Sequence, residues 1–135
     1  MVWNCKKGGE MNGIEILADT NAILYLFAGK KCMIPFMNKQ IGVSVITEME
    51  LLSFPRISSQ ELRNLQLLLS KCIIIPMDND IKNKAIIIRR AYGTKLPDAI
   101  VAATSVCNHI PLVTADKGFK RIDGLDLNLL EFSEG

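Results

Sequence analysis

The sequence predicts an α/β domain built on a parallel sheet with helices covering both faces. Short apolar runs of strand length alternate with longer stretches whose apolar residues recur at helical spacing, and strands separated by helices make βαβ units with parallel strands. The chain also has the size and composition of one packed domain: 135 residues, 49% hydrophobic and 22% charged. That is enough to bury a core and too apolar for a disordered chain. No internal repeat, low-complexity segment or linker divides it.

Residues 14–18 (IEILA) read as the first strand, and 22–27 as the helix after it. Residues 41–45 (IGVSV) are a second, β-rich run. From 46 to 54 apolar positions recur at helical spacing until Pro55 stops them. Ser58-x-x-Glu61 is a capping-box signature ahead of a leucine-rich amphipathic stretch. Residues 72–77 (CIIIPM) form a third strand that Pro76 should end. Residues 78–92 read as a long helix finishing at Gly93, with Arg89 and Arg90 in its last turns. Residues 96–108 form another, entered through Pro97 at a favoured first-turn position. Residues 111–114 and 125–130 are the last two strands. Ahead of all these, 1–11 is polar and Gly-containing, an N-terminal extension expected to be flexible, and Met11 is an alternative start. The domain proper is 12–135.

A net charge of +2 does not mark a globally basic protein, so any surface for nucleic acid must be local. Cys5, Cys32, Cys72 and Cys107 include no CxxC pair, and the single His109 stands two residues past Cys107. Zinc spacing is therefore absent, and reduced thiols in a cytoplasmic protein are expected. No apolar run approaches the roughly 18 residues of a membrane helix. The N-terminus has a basic pair without a following apolar region, unlike a secretory signal.

In an open parallel sheet, ligands bind beyond the carboxyl ends of the strands. Asp19 follows the first strand directly in LADTNAILYLF, and Asp116 stands just past another strand in PLVTADKGF. Glu50 lies in the helix after the second strand (VSVITEMELL), and Asp98 in the first turn of a helix that begins KLPDAIVAAT. Four carboxylates brought together would repel and raise one another's pKa. A divalent cation removes that penalty, and oxygen donors without His or Cys favour Mg²⁺ or Mn²⁺. Such ions bind substrate phosphates and activate a water for in-line attack on a phosphodiester. Each acid also has a plainer role. Asp19 is a good helix N-cap, Thr47-x-x-Glu50 has a capping-box pattern, Asp98 complements a helix N-terminus, and Asp116-Lys117-Gly118 has the composition of a surface turn. These roles leave unexplained why Asp98 leads a segment as apolar as AIVAAT.

The order LADTNAILYLF, VSVITEMELL, KLPDAIVAATS, PLVTADKGF resembles the PIN domain, and especially the VapC-type toxin ribonucleases, over residues 14–132. The resemblance implies a three-layer α/β/α sandwich with a parallel sheet of about five strands. It also implies a metal-dependent endoribonuclease of a type II toxin–antitoxin pair, commonly a homodimer and inhibited by a small antitoxin. By motif position, Asp19, Glu50 (rather than Glu48), Asp98 and Asp116 are the catalytic acids and ligands of Mg²⁺ or Mn²⁺. Asn21 and Thr114 are expected either to hold these carboxylates by hydrogen bonds or to do ordinary turn and cap chemistry. Arg89, Arg90 and Lys95 in RRAYGTK either meet RNA phosphates or complement a helix C-terminus. Tyr92 either stacks on a base or is a half-buried helix residue. The chain departs from the family pattern at Gly118, where many relatives carry an acidic or polar residue. That leaves room for a catalytically weak PIN-like module that only binds RNA or protein. An aspartate-nucleophile phosphatase would need a second aspartate where this chain has Asn21.

Overall fold

The computed structural model describes residues 13–131; the predicted extension, with Trp3, Cys5 and Met11, lies outside them. The strand-length runs become β1 (Ile16–Ala18), β2 (Ile41–Ser44), β3 (Ile73–Ile75), β4 (Leu112–Thr114) and β5 (Leu127–Leu129). They form one sheet in the order β3-β2-β1-β4-β5, with every pairing parallel. The helices are α1 (Thr20–Phe27), α2 (Val45–Leu52), α3 (Ser59–Ser70), α4 (Asn79–Tyr92) and α5 (Leu96–Asn108). Helices lie on both faces, so the architecture is the expected three-layer sandwich.

Strand residues alternate between two cores because successive side chains leave opposite faces of a sheet. Ile16, Ala18 and Val113 pack with Ile23, Met33, Leu51 and Leu65 on one face. Leu17 and Leu112 pack on the other with Ile81, Ala85 and Ile88 of α4 and with α5. Burial on both sides is why these strands read as continuous apolar runs. It also explains AIVAAT: residues 99–105 of α5 are all buried, and its alanines permit close approach to the sheet and to α4.

The local signals for helix ends are realised in the structure. Ser58 Oγ accepts the Glu61 N–H at 3.0 Å while Glu61 Oε1 accepts the Ser58 N–H at 3.1 Å, closing the capping box of α3. Asp78 caps α4 by accepting the Ile81 N–H at 2.8 Å. Gly93 ends that helix with φ 67°, a left-handed conformation that glycine adopts without strain. Two 3-10 helices, Lys31–Phe36 and Lys117–Arg121, were not foreseen. The first contains Pro35 and buries only Met33, so it carries no apolar period to read. Cys32, Cys72 and Cys107 are free thiols. No helix among the described residues is long and apolar enough to cross a membrane.

The strand order locates the crevice. The chain moves outward from β1 through β2 and β3, then returns to the other side of β1 to lay down β4 and β5. The order reverses between β1 and β4, and a cleft opens there at their carboxyl ends. The helix α5 runs back antiparallel to β4, which follows it after a short turn, so its N-terminus lies at that same edge.

Leu17 is fully buried at the sheet centre, so Leu17→Ala is expected to cost about 2–5 kcal/mol of unfolding free energy. Ser58→Ala, which opens an exposed capping box, is expected to cost about 1 kcal/mol. Urea unfolding of both variants checks the ranking.

Candidate functional site

Asp19 stands one residue past β1 and is 7% exposed. Its Oδ1 accepts the Ala22 N–H at 2.9 Å, so it does cap α1. Its Oδ2 accepts a hydrogen bond from the hydroxyl of Thr114, the last residue of β4. That hydroxyl in turn accepts the Asp116 N–H at 3.0 Å. The cap and the site are thus served by different oxygens of one carboxylate.

Glu50 is not part of a capping box. The N-cap of α2 is Ser44, whose Oγ accepts the Ile46 N–H at 3.2 Å. Thr47 lies inside the helix, with a buried hydroxyl that has no partner among the described residues. Glu50 instead receives the Thr20 hydroxyl on Oε1 at 2.6 Å. Asp98 sits in the first turn of α5, half-buried, without a hydrogen-bond partner among the described residues. Asp116 is exposed and caps the 3-10 helix at Lys117–Arg121, its Oδ1 accepting the Gly118 N–H at 2.8 Å.

These four acids line one cavity of about 390 Å³, together with Thr20 and Asn21. A second cavity of about 280 Å³ shares Asp98 and Asp116 with the first and extends to Thr94, Lys95 and Arg121. Burial pushes the Asp19 carboxyl above the usual carboxylate range. The hydrogen bonds from Thr114 and Ala22 pull it back in part, and the charges of Asp98 and Asp116 push it up again. Asp98 is raised by burial, then by Asp116 and Glu50, with Lys95 opposing.

The donor set consists of oxygens only, two of its acids are held above their normal pKa, and Asp98 has no hydrogen-bond partner among the described residues. This chemistry suits a hard divalent cation. The acids line the cavity without meeting at a point: among the described residues no three His, Cys, Asp or Glu side chains form a closed ligand group.

The other predicted site residues divide. Thr114 contacts Asp19, and Lys95 lines the second cavity. Asn21 lines the first cavity but is exposed and makes no hydrogen bond to a carboxylate among the described residues. Arg89 donates to the Thr94 carbonyl at 3.4 Å, and neither it nor the exposed Arg90 lines either acid-bearing cavity. Glu48 lines neither. Tyr92 packs on the core, and its hydroxyl accepts the Asp123 N–H at 3.2 Å. Thr20, Thr94 and Arg121, which line the two acid-bearing cavities, were not foreseen. A Cβ at Gly118 would stand 3.0 Å from Asp116 Oδ1, so a side chain there would press on that carboxylate.

The fold and the site together define an α/β protein with an acidic crevice at a sheet switch point, suited to a hard cation. The PIN domain family model matches residues 16–125, and the chain belongs to that family, whose members are nucleases. Its fold is similar to a toxin–antitoxin complex from Klebsiella pneumoniae, at 30% identity and a TM-score of 0.72 over 82% of this chain and 95% of that one. It is also similar to VapBC2 from Rickettsia felis bound to a promoter DNA fragment, at 22% identity and 0.76 over 86% and 98%. DNA-bound VapBC from Salmonella typhimurium aligns at 21% identity and 0.74 over 85% and 97%. No curated protein sequence matches the chain.

Because the folded-state pKa of Asp98 is raised, its contribution to stability is fully present below the unfolded carboxylate value near about 4 and is lost as pH rises through the folded value. In EDTA at pH 7, Asp98→Asn is therefore expected to melt at a higher temperature than the wild type. The gain should shrink as pH falls through the raised folded value of Asp98 and be gone below about 4. Thermal melts across pH check this, and added Mg²⁺ should raise the wild-type midpoint more than that of Asp98→Asn.

Proposed function

We propose that the chain is a Mg²⁺- or Mn²⁺-dependent endoribonuclease, the VapC-type toxin of a type II toxin–antitoxin pair acting in the cytoplasm. The observation that carries this reading is the convergence of Asp19, Glu50, Asp98 and Asp116, from four separate elements, on one cavity. Asp19, Glu50 and Asp98 would hold the ion, with Asp116 at the exposed rim. When bound there, a divalent cation supplies a Lewis acid for a phosphoryl oxygen and lowers the pKa of a water. Thr114 and Thr20 orient the carboxylates of Asp19 and Glu50 while leaving each further lone pairs for coordination. Asp98, half-buried and without a hydrogen-bond partner among the described residues, gains from a neutralising ion.

An apolar groove of about 620 Å³, lined by Leu24, Phe27, Phe54, Ile57 and Leu65, supports a protein partner. Phe54 lines both this groove and the acid cavity, so a small antitoxin seated in the groove would lie against the site. Ile86 and Ile87, 48% and 58% exposed on α4, support a homodimer. The alternative, a PIN-like module that binds RNA or protein without cutting, is favoured by Gly118, where many relatives carry an acidic or polar residue, and by the open arrangement of the acids among the described residues.

The test uses the purified chain, freed of any partner, with structured RNAs in Mg²⁺, Mn²⁺ or EDTA. Internal cleavage is expected only with a divalent ion. Asp19→Asn and Asp98→Asn should each lose at least about 100-fold, the scale of removing one group that stabilises transition-state charge. Thr114→Val should lose about 10- to 100-fold by loosening Asp19. Cleavage that persists unchanged in Asp19→Asn or Asp98→Asn contradicts the proposal.

A further inference from the structure

We infer that Lys95 and Arg121 form an anion subsite that holds an RNA backbone phosphate other than the one being cut. This rests on the nuclease reading above and adds a binding site to it. RNA approaching four carboxylates is repelled, so productive binding needs cations close to the acids and outside the metal's own place. The second cavity provides them: Asp98 and Asp116 belong to both cavities, while Lys95 and Arg121 belong only to this one.

Arg121 is pre-positioned. It lies in the last turn of the 3-10 helix, and its Nη1 donates to the Tyr92 carbonyl at 2.8 Å. Tyr92 is itself anchored, with its ring against the core and its hydroxyl accepting the Asp123 N–H. One of the five guanidinium donors is used, and the rest of the planar fork makes no hydrogen bond among the described residues. A fork held in this way loses little freedom on meeting a phosphate, which it can engage through two bonds.

Neither cation is ion-paired within 4.0 Å among the described residues, where the ion pair formed joins Lys39 to Glu15. Thr94, between α4 and α5 on the same wall, is 7% exposed, and its hydroxyl is buried without a partner among the described residues. Such a donor is an exception in folded proteins, and a phosphate oxygen or a bridging water would satisfy it.

A structural role for Arg121, stapling the 3-10 helix to α4, would use the same bond to Tyr92, so the test must separate the two. A fluorescein-labelled single-stranded RNA oligonucleotide is titrated in EDTA at several salt concentrations, with every protein in the Asp98→Asn background to reduce repulsion and prevent cutting. Lys95→Ala and Arg121→Ala should each weaken binding by about tenfold, the scale of a lost charge-assisted hydrogen bond. Each should also lower the slope of log K against log salt by about 0.7. Arg121→Lys should keep the slope and lose part of the affinity. Lys71→Ala, the same charge loss at the opposite sheet edge, should change neither.

If Lys95→Ala and Arg121→Ala weaken binding no more than Lys71→Ala, or if the oligonucleotide does not bind at all, the subsite is overturned. A loss of melting temperature in Arg121→Ala without a change of slope assigns Arg121 to the staple and overturns its part. Should Arg121→Ala fail to fold, Lys95→Ala and Arg121→Lys decide. Because no cleavage is measured, the subsite can stand where the metal chemistry fails, and the reverse.

Discussion

The site depends on one hydrogen bond, from the Thr114 hydroxyl to the Asp19 carboxylate. It joins residues 95 positions apart, at the ends of the two strands that flank the reversal of sheet order. It can form only if β1 and β4 pair in the observed register, with Ala18 opposite Val113. The same hydroxyl accepts the Asp116 N–H, so one buried oxygen sets the position of two acids. Desolvating a carboxylate is costly unless hydrogen bonds compensate, and the Thr114 hydroxyl and the Ala22 N–H do so at Asp19. Compensation is incomplete, since burial still holds the group above its normal pKa. The remaining cost is the electrostatic demand that a cation would meet.

The rest of the fold delivers the other acids to that point. Parallel strands place their carboxyl ends on one edge. There α1 starts directly after β1, and α5 starts there because it runs back to the beginning of β4, so both bring their positive N-terminal ends toward the acids. Glu50 arrives from farther along α2 and is held by Thr20 at the start of α1. Acids that raise one another's pKa weaken the folded state near neutral pH, and proteins tolerate such conflicts mainly at functional sites. Asp98 is the clearest case, because among the described residues neither a hydrogen bond nor a cap accounts for its position.

Local chemistry and the parallel βαβ layout were legible in the sequence, and individual long-range side-chain pairs were not. The Ser58–Glu61 capping box, the stop at Pro76, the turn at Gly93 and the acid after the first strand each depend on neighbours within a few residues, and each could be read directly. The Thr47–Glu50 pattern misled in its plainer reading because α2 begins at Val45, which puts Thr47 inside the helix. Thr20 was overlooked because its partner is 30 residues away. Arg121 was overlooked because 3-10 helices show no apolar period. Arg89 and Arg90 are close to Asp98 in sequence, yet they lie in the last turn of α4, outside both acid-bearing cavities.

If acids from four elements make one cation site, anomalous diffraction from a crystal grown with saturating Mn²⁺ will show it. A peak in the acid cavity, within about 2.0–2.6 Å of oxygens from Asp19 and Asp98 as hard cations require, is the expected result. No peak there, or a peak held by other residues, contradicts it.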